Sequence, residues 1–272
     1  MQPDWQAWRA SPVALPVLPL IFFLDELPAD RWPDHADWSG AALARGVANL
    51  DGATVRFVAP STPAASALDF ERRIHTKGEV ETRPASWHDA FHALAWLAFP
   101  QAKARINALH VAEGLDASPN GRSAVRNVLT LFDEGGLFVV SADHELLQLV
   151  REFKWHRLFW ERRAEVRRHM DFVIFGHALF ERTLAMDYGA TGRALLFASD
   201  PAYFGWDSAT RLDWLDREAA ALLADPVRLT ATTALQPVPI NGIPGWNAQS
   251  DAEGYYRDVR QFAPGRRKAM PC

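Results

Sequence analysis

The amino-acid sequence predicts an α+β fold that is predominantly helical, one helix-rich domain with a few short strands. Three observations lead there. Apolar residues recur at three- and four-residue spacing through the centre of the chain, as in Trp87, Phe91, Leu94, Ala95 and Ala98. Strand-like runs are few and short: Ala53–Val58, Leu137–Val140 and Arg193–Ala198. The composition, 272 residues with 49% hydrophobic and 23% charged, is that of a globular chain able to bury its own core. A single domain spanning 1–272 is the expectation.

Residues 1–40 are rich in proline and tryptophan and read as an irregular wrapping segment. Within them the apolar run Ala14–Leu24 is shorter than the roughly 20 residues a membrane span needs, and Pro16 and Pro19 interrupt it. It reads as a buried extended segment, and nothing around it frames a signal peptide. A short helix is expected over Ala42–Leu50, a strand over Ala53–Val58 and a helix over Ala67–His75, followed by a turn at Thr76-Lys-Gly-Glu79. Ser86-Trp-His-Asp89 fits a capping box, with Ser86 as N-cap and Asp89 reaching back to it. Pro100 ends that helix and opens the next, which runs to about His110 and stops near Gly114. A third helix covers Arg122 to about Phe132, with Gly135-Gly136 at its end. Leu137–Val140 is a strand. Helices are expected at 143–152, 155–169 and 172–186, a strand at 193–198 and a helix at 208–224. The segment 226–272 reads as loop-rich.

The net charge of −4 disfavours a broad nucleic-acid-binding face. In the basic stretch Arg157–Arg168, Glu161 and Glu165 alternate with arginines at helical ion-pair spacing, which reads as a solvated helix. The only cysteine is Cys272, so no intramolecular disulfide forms; a reducing, cytoplasmic setting is expected, with no membrane span. No phosphate-binding glycine loop and no Gly-x-Ser-x-Gly elbow is present.

Several stretches, in order, carry a family resemblance. They are Phe70-Glu-Arg-Arg-Ile74, Gly78-Glu-Val80, Thr82-Arg-Pro-Ala-Ser-Trp-His-Asp89, Phe99-Pro-Gln-Ala-Lys103, Ile106-Asn-Ala-Leu-His110, Thr130-Leu-Phe-Asp-Glu-Gly135, Phe175-Gly-His-Ala-Leu179 and Ile243-Pro-Gly-Trp-Asn247. Together they resemble the bacterial family known as domain of unknown function 3025. The resemblance implies no established activity. Some family members are labelled membrane proteins, which the short run at 14–24 does not support. The chain departs from the family pattern at His92, usually Asn, at Asn127, usually Asp, and at Gly135, often Asn.

The sharpest chemical pattern is His88-Asp89-Ala90-Phe91-His92. Two histidines at i and i+4 share one helical face, about 5–6 Å apart at Cβ, and can chelate one ion. Zinc hydrolases use His-Glu-x-x-His, and here Asp89 stands in the glutamate's place, one methylene short. The dipeptide His88-Asp89 also resembles the HD phosphohydrolases, which bind metal through adjacent His and Asp. Lys103, Asn107 and His110 form a polar stripe on the second helix. Asp133 and Glu134 oppose the dipole of the third helix if it extends that far; otherwise they sit in a turn after Thr130. His177 and Glu181 lie one helical turn apart in an apolar stretch, paired with each other or serving a ligand.

These residues define the expectation. His88, Asp89 and Asn107 are candidate catalytic residues. His88, His92, His110 and His177 are candidate ligands for a divalent metal, zinc, iron or manganese. Arg83, Lys103 and Asp133 are candidate substrate-binding groups. With a metal the expected chemistry is hydrolysis. Without one, the N–H groups at the start of the 87 helix, with Arg83 and Lys103, suit an anionic small molecule. The alternative is a non-enzymatic module that binds a small anion or a protein, its eleven tryptophans serving packing or a partner surface.

Overall fold

The structure is a computed structural model and describes residues 4–11, 20–62, 66–115, 123–184, 189–229 and 234–265. Cys272 and the apolar positions 14–19 lie outside them. The architecture is α+β and helix-rich, as expected.

Residues 1–40 are more regular than their composition suggests. They contain α1 (Trp5–Ala10) and α2 (Ile21–Leu24), and α3 (His35–Ala44) begins there. The described end of the apolar run is thus a helical turn rather than extended chain, with Leu20, Phe23 and Leu24 buried. Local signals for the other two helices were present: Asp4 accepts from the Ala7 N–H, and Asp34 and Asp37 form a reciprocal capping box. Trp5 is fully buried, with its ring 5.4–6.2 Å from those of Trp8, Trp32, Trp38 and Trp87. This cluster fastens the N-terminal segment to the first turn of α5 (Trp87–Ala98). The expected helix at 42–50 is displaced to α3, and residues 48 and 54 instead form an isolated antiparallel bridge.

Strand β1 (Arg56–Val58) pairs in parallel with β2 (Glu79–Glu81), and α4 (Ala67–Lys77) makes the crossover. Gly78 ends α4 at φ 68°, and a Cβ there would lie 2.3 Å from the Thr54 carbonyl oxygen, so this position requires glycine.

Next come α5, α6 (Pro100–Leu115) and α7 (Ala124–Gly135). The buried Asp216, on α11 (Ser208–Leu223), accepts from the backbone N–H groups of Gln101 and Ala102. It satisfies two of the free donors at the start of α6 from across the core.

The larger sheet has the order β4-β3-β5-β6, built from β3 (Gly136–Ser141), β4 (Met170–Ile174), β5 (Thr191–Ala198) and β6 (Gln236–Pro239). β3 pairs antiparallel with β4 and parallel with β5, and all six of its residues are buried. Its uninterrupted apolar run is that of a central strand covered on both faces.

Between β3 and β4 the chain forms α8 (His144–Arg151), a π turn at Arg157–Glu161 and α9 (Arg163–His169). Arginines of the basic stretch pair mostly across elements: Arg157 and Arg162 with Glu145, and Arg163 with Asp251. The expected helix at 172–186 is corrected. Residues 170–174 are strand β4, and the helix α10 is His177–Leu184. A buried strand and a buried helix look alike in the run Phe172-Val-Ile-Phe175, and tertiary pairing with β3 decides between them. The C-terminal part is loop-rich as expected, except that β6 adds an edge strand whose prolines, 237 and 239, sit where an edge tolerates them. No helix of the described residues is long and apolar enough to cross a membrane.

Candidate functional site

The site is built at the meeting of the start of α5, the end of α7 and the start of α10. Ala85 occupies the left-handed region at φ 52°, turning the chain immediately before the α5 N-cap. Ser86 caps α5, its hydroxyl accepting from the Asp89 N–H at 3.4 Å. The reciprocal half of the expected capping box is absent. Asp89 instead accepts from the Arg83 backbone N–H at 2.6 Å and is gripped by the Arg83 guanidinium at 2.7 and 3.0 Å. Burial works against the Asp89 charge, but this clamp holds its carboxyl below the usual range. Asp89 therefore fixes the loop before α5.

His177 enters from the opposite side. A Cβ on Gly176 would lie 2.3 Å from Gly136 N and 2.4 Å from Glu134 O, so only glycine lets α10 begin this close to the end of α7. That approach sets His177, 5% exposed, against Asp133 and Glu134. α7 does continue to Gly135, so both acids sit in its last turn against the helix dipole. Cationic or imidazole groups face each of them.

Two clusters of potential ligand atoms result, each with its atoms within 4.8 Å of one another: His88–Glu134–His177 and His92–Asp133–His177. In the outer cluster His88 Nε2 and His177 Nε2 are 3.1 Å apart, and Glu134 Oε2 is 3.7 Å from His177 Nε2. Ligands about 2.0–2.1 Å from a tetrahedral zinc lie roughly 3.3 Å from one another. The outer spacing therefore suits such an ion. The far nitrogens are faced by carboxylates: Glu181 Oε2 lies 3.3 Å from His88 Nδ1, and Asp133 Oδ2 lies 3.8 Å from His177 Nδ1. Glu181 favours a proton on His88 Nδ1. The Nε2–Nε2 contact is a hydrogen bond between the two rings, and His177 Nδ1 is buried without a hydrogen-bond partner. Burial pushes His177 down to about 4, so it is a neutral imidazole at pH 7.

The inner cluster is differently balanced. Lys103, only 3% exposed, donates to Asp133 Oδ1 at 2.5 Å and lies 5.6 Å from the Trp96 ring. Burial opposes ionisation of Asp133, but Lys103 more than offsets it and the carboxyl is held well below its ordinary range. His92, one turn beyond His88, packs its ring 4.9 Å from that of His177. Burial and the nearby Lys103 charge push its pKa well down.

An open cleft of about 550 Å³ gives access to these groups; Arg83, His88, Asp89, His92, His110, Asp133 and His177 all line it. Thus α5, α7 and α10 bring His88, His92, Asp133 and His177 together, and His110 stands on the same cleft, outside both ligand clusters. Lys103 lies beneath Asp133. Asn107 is buried, and its Nδ2 donates to the Glu71 carbonyl oxygen at 2.8 Å and to Glu71 Oε2 at 2.7 Å. His177 and Glu181, which the sequence leaves either paired with each other or serving a ligand, both contact His88.

Three acids belong to this region without having been among the expected site residues: Glu71, Glu134 and Glu181. Burial raises Glu71 to about 7 and also pushes Glu134 up. The helix-dipole violation already singled out Glu134. Glu71 lies in an ordinary amphipathic helix and carried no such signal.

The family model described as "Protein of unknown function (DUF3025)" matches residues 55–266. The chain belongs to that family. The DUF3025 match spans α4, α5, α6, α7 and α10, and so every residue of both clusters. No curated protein and no solved structure matches the chain.

Proposed function

We propose that this DUF3025 protein is a metal-dependent hydrolase whose ion is held by His88, His177 and Glu134. One observation carries the reading: two imidazole nitrogens and a carboxylate oxygen converge beside an open cleft, with Glu181 hydrogen-bonded to the far nitrogen of His88. Three protein ligands with a further position open is the pattern of a catalytic rather than a structural site. The donor set suits zinc, and equally iron or manganese. When bound, such an ion supplies Lewis-acid polarisation and a hydroxide nucleophile near neutral pH.

The chain's own groups take the remaining tasks. Glu181 orients His88, and the Asp133–Lys103 pair supports His177 from behind. Glu71, on the cleft wall and titrating near 7, is suited to accept or return a proton. The inner cluster is the poorer ion site, because an ion there would face the Lys103 ammonium. The anion-binding alternative through Arg83 and Lys103 loses support, since Asp89 and Asp133 already engage both cations.

The test is titration of chelator-stripped full-length protein with zinc, manganese or ferrous ion, followed calorimetrically. One equivalent should bind, and His177→Ala and His88→Ala should each abolish it. Absence of stoichiometric binding, or equal binding by these variants, would overturn the proposal.

A further inference from the structure

The cleft walls also bear on what such a site would act upon. α7 presents Arg126, Thr130 and Asp133 to the cleft at i, i+4 and i+7, a single helical stripe. Asp133 and its neighbour Glu134 stand at the ion-binding end. Arg126 stands two turns away, on the order of 10 Å along the helix axis. Its environment differs from that of the other basic groups at the site. Arg83 is clamped by Asp89, and Lys103 is paired with Asp133. Among the described residues, the Arg126 side chain has no hydrogen bond or ion pair, and its Nε is buried without a partner. The nearby carboxyl of Glu71 accepts from Asn107, and the Arg126 charge reaches it only through space.

The Arg126 side chain lines the cleft wall with no carboxylate of the described residues hydrogen-bonded to it, which leaves its guanidinium available to an anion in the cleft. Its planar fork matches the two oxygens of a carboxylate or phosphate. Resting on the hydrolase reading, we propose that the substrate carries a carboxylate or phosphate group seated on Arg126, two helical turns along α7 from the ion-binding end. The anion is then a positioning handle, remote from the reacting centre. Phe70, Ala67 and Pro60, which also line the cleft, provide an apolar wall for the part of the substrate in between.

The experiment measures anion binding to metal-free, full-length protein, using inorganic phosphate and succinate as probes in separate calorimetric titrations. Wild type should bind at least one of them, and the tighter one names the class. Arg126→Gln should weaken that binding roughly tenfold or more. Arg126→Lys, which keeps the charge without the fork, should fall between. His177→Ala should leave anion binding unchanged while abolishing metal binding, so loss of the metal reading and loss of this one are told apart. Failure of wild type to bind either probe would overturn the anion seat, as would loss of binding in His177→Ala but not in Arg126→Gln.

Discussion

The outer cluster, His88–Glu134–His177, and the inner cluster, His92–Asp133–His177, share one imidazole and lie on the same helices. They differ in charge balance. The inner cluster contains its own cation: Lys103 neutralises Asp133 at 2.5 Å in a site from which water is largely excluded. The outer cluster sets His88 beside the neutral His177 and a half-exposed Glu134 that, among the described residues, makes no ion pair with a lysine or arginine. In the inner cluster Lys103 is hydrogen-bonded to the carboxylate itself, whereas on Glu134 and His177 the same lysine acts only through its longer-range charge. Proximity of ligand-type residues is common to both clusters, and charge balance separates them.

The largest expected effect breaks the inner cluster. Lys103→Met should cost about 3–5 kcal/mol in urea-unfolding experiments, because it strands the Asp133 charge in a buried position. Adding Asp133→Leu should recover much of that loss. A single-variant cost below about 1 kcal/mol would show that the pair is solvated and that the contrast between the clusters is false.

The next effect tests the outer cluster. Glu181→Gln should weaken metal affinity by 10–100-fold, or about 1.4–2.7 kcal/mol, with little change in folding stability. Competition against a chromogenic chelator measures it, and an unchanged affinity would remove Glu181 from the site.

A pH effect of about 3 kcal/mol follows for Glu71. Its folded-state value, about 7, exceeds the ordinary 4.5, so the native state binds the proton more tightly than the unfolded one. Its contribution is therefore fully present below about pH 4.5 and is lost as pH rises through 7. Melting curves of Glu71→Gln should fall less across that window than those of wild type; parallel curves would contradict the assignment.

The smallest effect belongs to His92→Asn, which removes the imidazole from the inner cluster and keeps a polar side chain. If the outer cluster alone holds the ion, metal affinity should change by less than about 0.6 kcal/mol, roughly threefold. A loss as large as that of His88→Ala would move the ion inward and reverse the comparison.

Much of the local structure was legible in the residues themselves. The helices at 67–77, 87–98, 100–115, 124–135 and 208–223 follow from apolar spacing, capping residues and punctuation by Pro100 and Gly136, all of which act within a few residues. So does the concentration of chemistry around His88. The strand at 170–174, the helical turn at 21–24 and the edge strand at 236–239 were not legible in the same way, and the capping signals of the helices at 5–10 and 35–44 were present but overshadowed by a proline- and tryptophan-rich composition. Their state depends on pairing or aromatic packing with distant parts of the chain.

The same division runs through the site. The sequence by itself singled out His88 and His92 by their chelating i, i+4 spacing, His177 by its place in an apolar stretch, and Asp133 by its opposition to its helix dipole. Only the tertiary structure decided which of them meet: the pairing of β4 with β3 and the close approach at Gly176 carry His177 to His88 across 89 positions of chain. Only it committed Asp89 to Arg83, Asn107 to Glu71 and Lys103 to Asp133. A side chain's partner is set by the geometry of burial, and local sequence encodes what a residue offers but not what comes to face it.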